Sequence, residues 1–447
     1  MPEQSKLQDP SLPASTKEEQ DRLQECKSKL VRIFGPTMFL TIISGGMLVT
    51  PRLSLGQKIM PDQVELTAFL ARLASAGALF EFFANPIFGK LADRYGRRSV
   101  IAIPNFAVAL CRALLFCFPD KKWPLIVEQS VCTPLVTSLF TVHRAALSDC
   151  LEGKDVAAAT AKIGMFIGLS IVAGPLIAKA VMSRADPRYC YLISVGLASS
   201  SGLWLLTQFQ ETLPAEKRKP LVLNDMQPLS FFQLLRQGPL RKLLLIIGMQ
   251  TVPEDRNMQN TVLSYLQHDL GWDWSRINNF IGLLGVSLIL SGSAVGSLIA
   301  RMGLRRFTTF SNACNIGTFA AFAHLPPLGL ILSSDSAMYL GLALSSFGGR
   351  KRDAAETLIM HLGAKQNLGN GFIMGAMMNW RAVINVLAPI LLARVYARRA
   401  GRGVFVAAAC FVALAEVMLR ALSDEELGLD AAGQLKEGGD ASDAKKQ

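Results

Sequence analysis

The charged residues that interrupt long apolar runs are the groups in this chain best suited to bind or relay something. Glu254, Asp255 and Arg256 are the densest set. They follow Lys242 by about 18 Å of helix rise, close to the middle of a hydrocarbon core of roughly 30 Å. Pro253 stands just before them. A residue with no N–H to donate predicts a broken helix whose freed backbone faces a polar cavity. Two carboxylates and a guanidinium there suit a proton, a cation or a charged solute, because desolvation raises a carboxyl pKa toward the physiological range. The plainer alternative is an internal Glu–Arg pair that only fixes the break.

Other residues of this kind are scattered. Glu81 lies about 12 Å before the end of its apolar run, as a coupling group or half of a structural pair. Arg72 projects from the opposite face of the same helix, so each needs a partner on another helix. His143, Arg144 and Asp149 close a later run. A histidine titrates near neutrality, so His143 is a candidate proton sensor or an ordinary interface residue. Gly164 and Gly168 are four apart, a spacing that lets helix backbones approach in lipid, and Gly174-Pro175 then bends or loosens the helix. Arg350-Lys351-Arg352-Asp353 with Glu356 has two readings. A tenth span over about 336–360 carries them into a cavity-lining helix, whereas one over about 328–348 leaves them as a basic collar.

Composition narrows the class. Hydrophobic residues make up 51% of the 447 and charged ones 18%, so the apolar residues gather in blocks long enough to cross a bilayer. The net charge of +12 sits in the loops between blocks, which fits anionic lipid head groups better than nucleic acid. The 8 cysteines include no CxxC, and most lie in or beside apolar blocks as small buried hydrophobes. Phosphate-loop, HExxH and GxSxG patterns are missing, and the histidines are far apart. The expectation is therefore no enzyme, no metal and no cofactor.

Two copies of one pattern organise the blocks. Gly89-Lys90-Leu91-Ala92-Asp93-Arg94-Tyr95-Gly96-Arg97-Arg98 separates two of them. A second copy, Gly296 to Arg306, separates another two close to half a chain length later. Gly89 and Gly96 suit a tight turn, and the arginines hold that turn in water on the cytoplasmic face. Asp93 suits pairing with an arginine or facing a helix N-terminus. The repeat predicts two halves of six spans each, at about 31–209 and 243–422. A polar cytoplasmic tail (1–30), a cytoplasmic linker (210–242) and a polar, disordered tail (423–447) complete the chain. Thr16-Lys17-Glu18-Glu19 reads as a capping box opening a surface helix, and Pro51 as the residue after the first span. Lysine and arginine favour the inner loops only slightly, because Arg394, Arg398, Arg399 and Arg402 precede the last span on the outside.

The first hairpin resembles the loop signature of the major facilitator superfamily, G-x-L-(A/S)-D-R-x-G-R-R, at every motif position. The second keeps Gly296, Leu298, Arg301, Gly303, Arg305 and Arg306 but has Ala300 for the aspartate. Gly164, Gly168 and Gly174-Pro175 resemble the fifth-helix signature of antiporters in that family, departing at Ala178. Pro253-Glu254 followed by Tyr265-Leu266 is similar to the seventh helix of the tetracycline-resistance and hippocampus-abundant-transcript-like branch. The resemblance implies an all-α membrane protein of twelve transmembrane helices in two pseudo-symmetric six-helix bundles, rocking about a midplane site. It implies that Asp149 pairs with Arg94 or Arg98 and, with Asp93, latches the halves, and that the fifth-helix element seals the outside.

The function implied is secondary transport of a small organic solute, as proton-coupled antiport of the drug/proton type. The fourth span lacks the R-x-x-x-G-x-G pattern of many drug antiporters. A sugar or organic-anion uniporter or symporter thus stays open, as does a transporter-like receptor or scaffold. The expected setting is a monomer among lipids of the plasma or an organelle membrane, with protons as coupling partners.

Overall fold

The computed structural model describes residues 14–150, 153–213, 216, 218, 229, 231–236, 238–326, 328–366 and 370–430. The ends of both polar tails and most of the linker lie outside the described residues. So do Gly296's surroundings and the side chains of Arg144, Asp255, Arg256 and Asp353.

The chain is all-α, in two halves of six spans. Among the described residues, 8 helices are long and apolar enough by themselves to cross a membrane: the first six passages and the last two. Of the middle four, the seventh and tenth are split, the ninth, Leu304–Phe322, is richer in polar residues, and the eighth, Trp274–Met302, is one unbroken helix. The seventh span is Gly238–Thr251 continued by Asp255–Ser264, and the tenth is Ser334–Gly348 continued by Lys351–Lys365. The run Asn370–Arg420 is helical throughout yet serves as two passages. Ile373 and Leu419 near its ends share one apolar core, while Tyr396 and Phe405 in its middle share another. Arg394, Arg398, Arg399 and Arg402 are exposed around that reversal. Large apolar side chains such as Leu110, Met165, Leu290 and Val417 point outward, as a lipid-facing belt requires.

Several expectations are corrected. Thr16 lies inside the helix Ala14–Gly46, so the proposed surface helix is continuous with the first span. Pro51 does not end that span. It stands in the first turn of a further segment, Val49–Ile59, where a missing N–H leaves no intrahelical bond unmade. The break falls instead at Met47–Leu48. In the tenth span, Arg350, Lys351 and Arg352 stand at the break midway along the passage, not in a collar at its end.

The two halves repeat each other. Both hairpins turn at a glycine with positive φ, Gly96 at 93° and Gly303 at 78°, whereas Gly89, expected to share the first turn, lies inside the helix Gln63–Tyr95. Asn105 and Asn312 are separated by the same interval as Gly89 and Gly296, and each centres a buried polar contact. Thr41 Oγ1 donates to Asn105 Oδ1 at 3.0 Å and Gln250 Nε2 to Asn312 Oδ1 at 2.9 Å. Ser201 completes the first contact, 2.9 Å from Thr41, and Glu416 the second, accepting from Asn312 Nδ2 at 2.9 Å.

Glycine contacts in the fifth span, Gly153–Met182, are unequal. A Cβ on Gly174 would stand 2.9 Å from the backbone nitrogen of Met47, so this glycine lets the fifth span lie against the break in the first. A Cβ on Gly168 would meet Ile289 across the halves, whereas Gly164 has nothing within 4 Å. Close packing thus applies to Gly168 and Gly174 and not to Gly164. Gly174→Ala is expected to destabilise by ~1–3 kcal/mol because backbone must shift, while Gly164→Ala is neutral or slightly stabilising. Thermal unfolding in detergent measures both, and equal effects would contradict the packing described.

Candidate functional site

Two helix breaks face each other in the carboxy-terminal half. Pro253 opens the seventh span, and Asn257 Nδ2 then donates to the freed carbonyls of Thr251 and Val252 at 2.9 and 3.4 Å. The chain restarts at Glu254, which leaves its carboxylate free of any capping role. Gly348 opens the tenth span against the ninth. A Cβ there would fall 2.8 Å from Asn315 Cα.

Four ionised groups meet between these breaks and the eleventh span. Arg352 hydrogen-bonds to Glu254 and lies 3.8 Å from Glu356. Arg381 lies 3.8 Å from Glu254 and 3.7 Å from Glu356. Glu81, on the second span of the other half, adds its negative charge to the field at Arg381. Among the described side chains, these two carboxylates and two guanidiniums answer one another, as burial of charge demands.

A cavity of about 260 Å³ opens beside the cluster. Glu254, Lys351 and Arg352 border it at one end, and Phe280, Phe319 and Phe322 supply an aromatic wall. Arg350 turns away to donate to the Leu288 carbonyl at 3.1 Å. An apolar chamber with a few convergent polar groups is the usual form of a small-molecule site.

The side of the molecule away from the hairpins is closed by contacts between the halves. Thr50 Oγ1 donates to Asn278 at 2.9 Å, and Gln63 Nε2 to Ser264 at 2.7 Å. Gln57 and Gln267 exchange amide hydrogen bonds at 2.5 and 3.1 Å. Val172 of the fifth span approaches so closely that a Cβ on Gly285 would lie 2.9 Å from its nitrogen.

At the first hairpin the partner of Asp149 is Arg97, not Arg94 or Arg98. Arg97 Nε lies 3.0 Å from Asp149 and Nη1 2.7 Å from Asp93. The reason is local. The helix ends at Tyr95 and Gly96 reverses the chain, so Arg97 opens the next helix turned inward over Asp93, four residues back. Arg98 donates to the Leu206 carbonyl at 2.9 Å, and Arg94 is exposed over the Tyr95 ring. Glu211 accepts from the backbone N–H of Arg97 at 2.9 Å, capping the new helix. In the second hairpin Ala300 replaces the aspartate and buried Leu304 stands where Arg97 does. Arg305 keeps the role of Arg98, donating to the Arg420 carbonyl at 3.3 Å and pairing with Asp424 at 2.6 Å. Arg301 is exposed.

His143 is buried in its own half, 4.3 Å from the Phe34 ring, with Nδ1–H donating to the Leu139 carbonyl. It does not border the cavity. Sequence reasoning passed over Arg381 and the ion pair of Arg52 with Glu128, whose atoms approach to 2.9 Å. All three stand in or beside apolar runs, so the rule that singled out Glu254 would have found them if applied evenly.

The profile of the Major Facilitator Superfamily matches residues 37–389. The mouse Hippocampus abundant transcript 1 protein is 21% identical over 269 residues, 59% of this chain and 54% of that protein. The chain thus spans about half the length of the curated relatives it matches. The class C tetracycline resistance protein of Escherichia coli is 27% identical over 161 residues, 36% of this chain and 39% of that one. The crystal structure of the human organic anion transporter MFSD10 superposes with a TM-score of 0.65 at 17% identity, covering 88% of this chain and 99% of the other.

Removing Arg97 strands two carboxylates near each other. Arg97→Gln is expected to cost ~1–3 kcal/mol of stability, while exposed Arg94→Gln stays within ~0.5 kcal/mol. Melting curves of the two variants decide the assignment, and a larger loss at Arg94 would reverse it.

Proposed function

The chain belongs to the major facilitator superfamily, and on that premise we propose that it is a secondary transporter, moving a small organic solute by alternating access in proton-coupled antiport. The observation that carries this reading is the cluster of Glu254, Arg352, Glu356 and Arg381 at two helix breaks beside an apolar chamber. The arginine hairpins face the cytoplasm in this reading, so contacts such as Thr50–Asn278 close the outer side and the state is inward-facing. Asp93, Arg97 and Asp149 are already joined in this state and all belong to the amino half, so they brace the cytoplasmic end of that half and do not latch one half to the other. The protein works as a monomer among lipids.

Antiport follows if the solute donates to the Glu254 carboxylate. Solute and proton then compete for one acceptor, and each leaves as the other arrives. Gly174, packed on the first span and followed by Pro175 within the helix, supports exchange by keeping the outer seal tight.

A second reading has its own observation. Lys351 and Arg352 border the chamber, so an organic anion could take Arg352 from Glu254. A proton on Glu254 would then favour binding, and proton and anion would travel together. The sign of the proton effect separates the two modes.

The test is flux into proteoliposomes of solutes first found by ligand-induced melting. Antiport predicts accumulation driven by an opposing proton gradient. Glu254→Gln, which removes the shared acceptor, should reduce that response at least tenfold and weaken solute–solute exchange with it. Accumulation with a parallel gradient selects the anion reading, indifference to the gradient selects a uniporter, and no flux at all selects a receptor or scaffold.

A further inference from the structure

The outer segment of the first span, Val49–Ile59, is held from two sides by contacts of different kinds. Thr50 and Gln57 are seven positions apart, which places them on one face, and both bond across to the other half. Thr50 donates to Asn278, and Gln57 pairs with Gln267. Arg52 projects from the opposite face. Its Nε and Nη2 meet both oxygens of Glu128 at 3.1 and 2.9 Å, a two-pronged pair whose carboxylate is only 1% exposed. Glu128 begins the π-turn Glu128–Cys132 of the fourth span, a widened turn within the helix. Lys58 adds a 2.7 Å contact with Asp186, in the loop between the fifth and sixth spans. Partial burial raises the Asp186 carboxyl, but the Lys58 ammonium together with the Arg188 N–H outweighs it and holds the group below its usual range.

The two faces respond differently when the halves part on this side. Thr50, Gln57, Asn278 and Gln267 are uncharged and become hydrated, so their hydrogen bonds are exchanged for bonds to water. Glu128 and Arg52 would instead be left charged inside the bundle with no partner. We infer that Arg52 and Glu128 are positioning residues that make Val49–Ile59 travel with the amino half, so the outer gate opens between this segment and spans seven and eight. The break at Met47–Leu48 would otherwise let the segment swing as a separate flap. Arg112 secures the near side of that break, donating to Ser44 at 2.7 Å and Ser194 at 2.9 Å. The charged and titratable groups around the brace are Arg112, Tyr191, Cys111 and Cys132. Glu128 is the carboxylate among them. The inference rests on the alternating-access reading, but its test needs no solute.

Hydrogen exchange read by mass spectrometry, on the full chain in lipid nanodiscs, makes that test. Glu128→Gln should raise exchange of the Val49–Ile59 amides at least tenfold, with less than threefold change in the third and sixth spans. Glu128→Asp should restore most of the protection. Thr50→Ala with Gln57→Ala should instead raise exchange on both sides of the seal without setting Val49–Ile59 apart from its own half. If Glu128→Gln does not fold, Arg52→Lys, which keeps the charge and loses the paired donors, should give the same local rise. The inference fails if the seal variant frees the segment as much as Glu128→Gln does, or if the rise spreads over the whole amino half. No rise at all in Glu128→Gln or in Arg52→Lys overturns it too. A protein without flux in proteoliposomes would sink the transport reading and leave these outcomes intact.

Discussion

An ionised side chain inside an apolar slab has to find its counter-charge on another helix. That requirement shapes the carboxy-terminal half. Glu254 on the seventh span, Arg352 and Glu356 on the tenth and Arg381 on the eleventh satisfy one another, and none could do so alone. The helix breaks at Pro253 and Gly348–Arg350 bring these groups together and leave a chamber beside them. Glu81 extends the same field into the other half.

Geometry is repeated between the halves more faithfully than chemistry. Both hairpins turn at a positive-φ glycine, and in both an arginine, Arg98 or Arg305, ties the turn to the end of the sixth span of its half. The inward-turned pair differs. Asp93 with Arg97 in one half corresponds to Ala300 with Leu304 in the other, so acid and base were replaced together by apolar residues. That is the substitution expected where a lone buried charge would be costly and a matched apolar pair is not. The buried contacts at Asn105 and Asn312 show the same pattern, with small hydroxyls around one and Gln250 and Glu416 around the other.

Much of this was legible beforehand because it is local. Pro253 announced the broken seventh span, since a missing N–H acts on its own helix turn. Gly96 and Gly303 announced the turns for a similar reason. Pairings were less legible. Asp149 was matched to Arg94 or Arg98, but the rotation of the chain after Gly96 presents Arg97. Gly164 looked equivalent to Gly168, yet only Gly168 and Gly174 face another helix.

Hydrophobic block length, the duplicated hairpin and the prolines were enough to establish a membrane protein of two related bundles, because each acts through bilayer thickness or backbone geometry within a few residues. Which charge answers which was decided only when the spans came together. Arg352 and Arg381 are far from Glu254 in sequence, and Arg52 is far from Glu128. Attraction between ions depends on separation in space, and the packing of whole helices is what sets it.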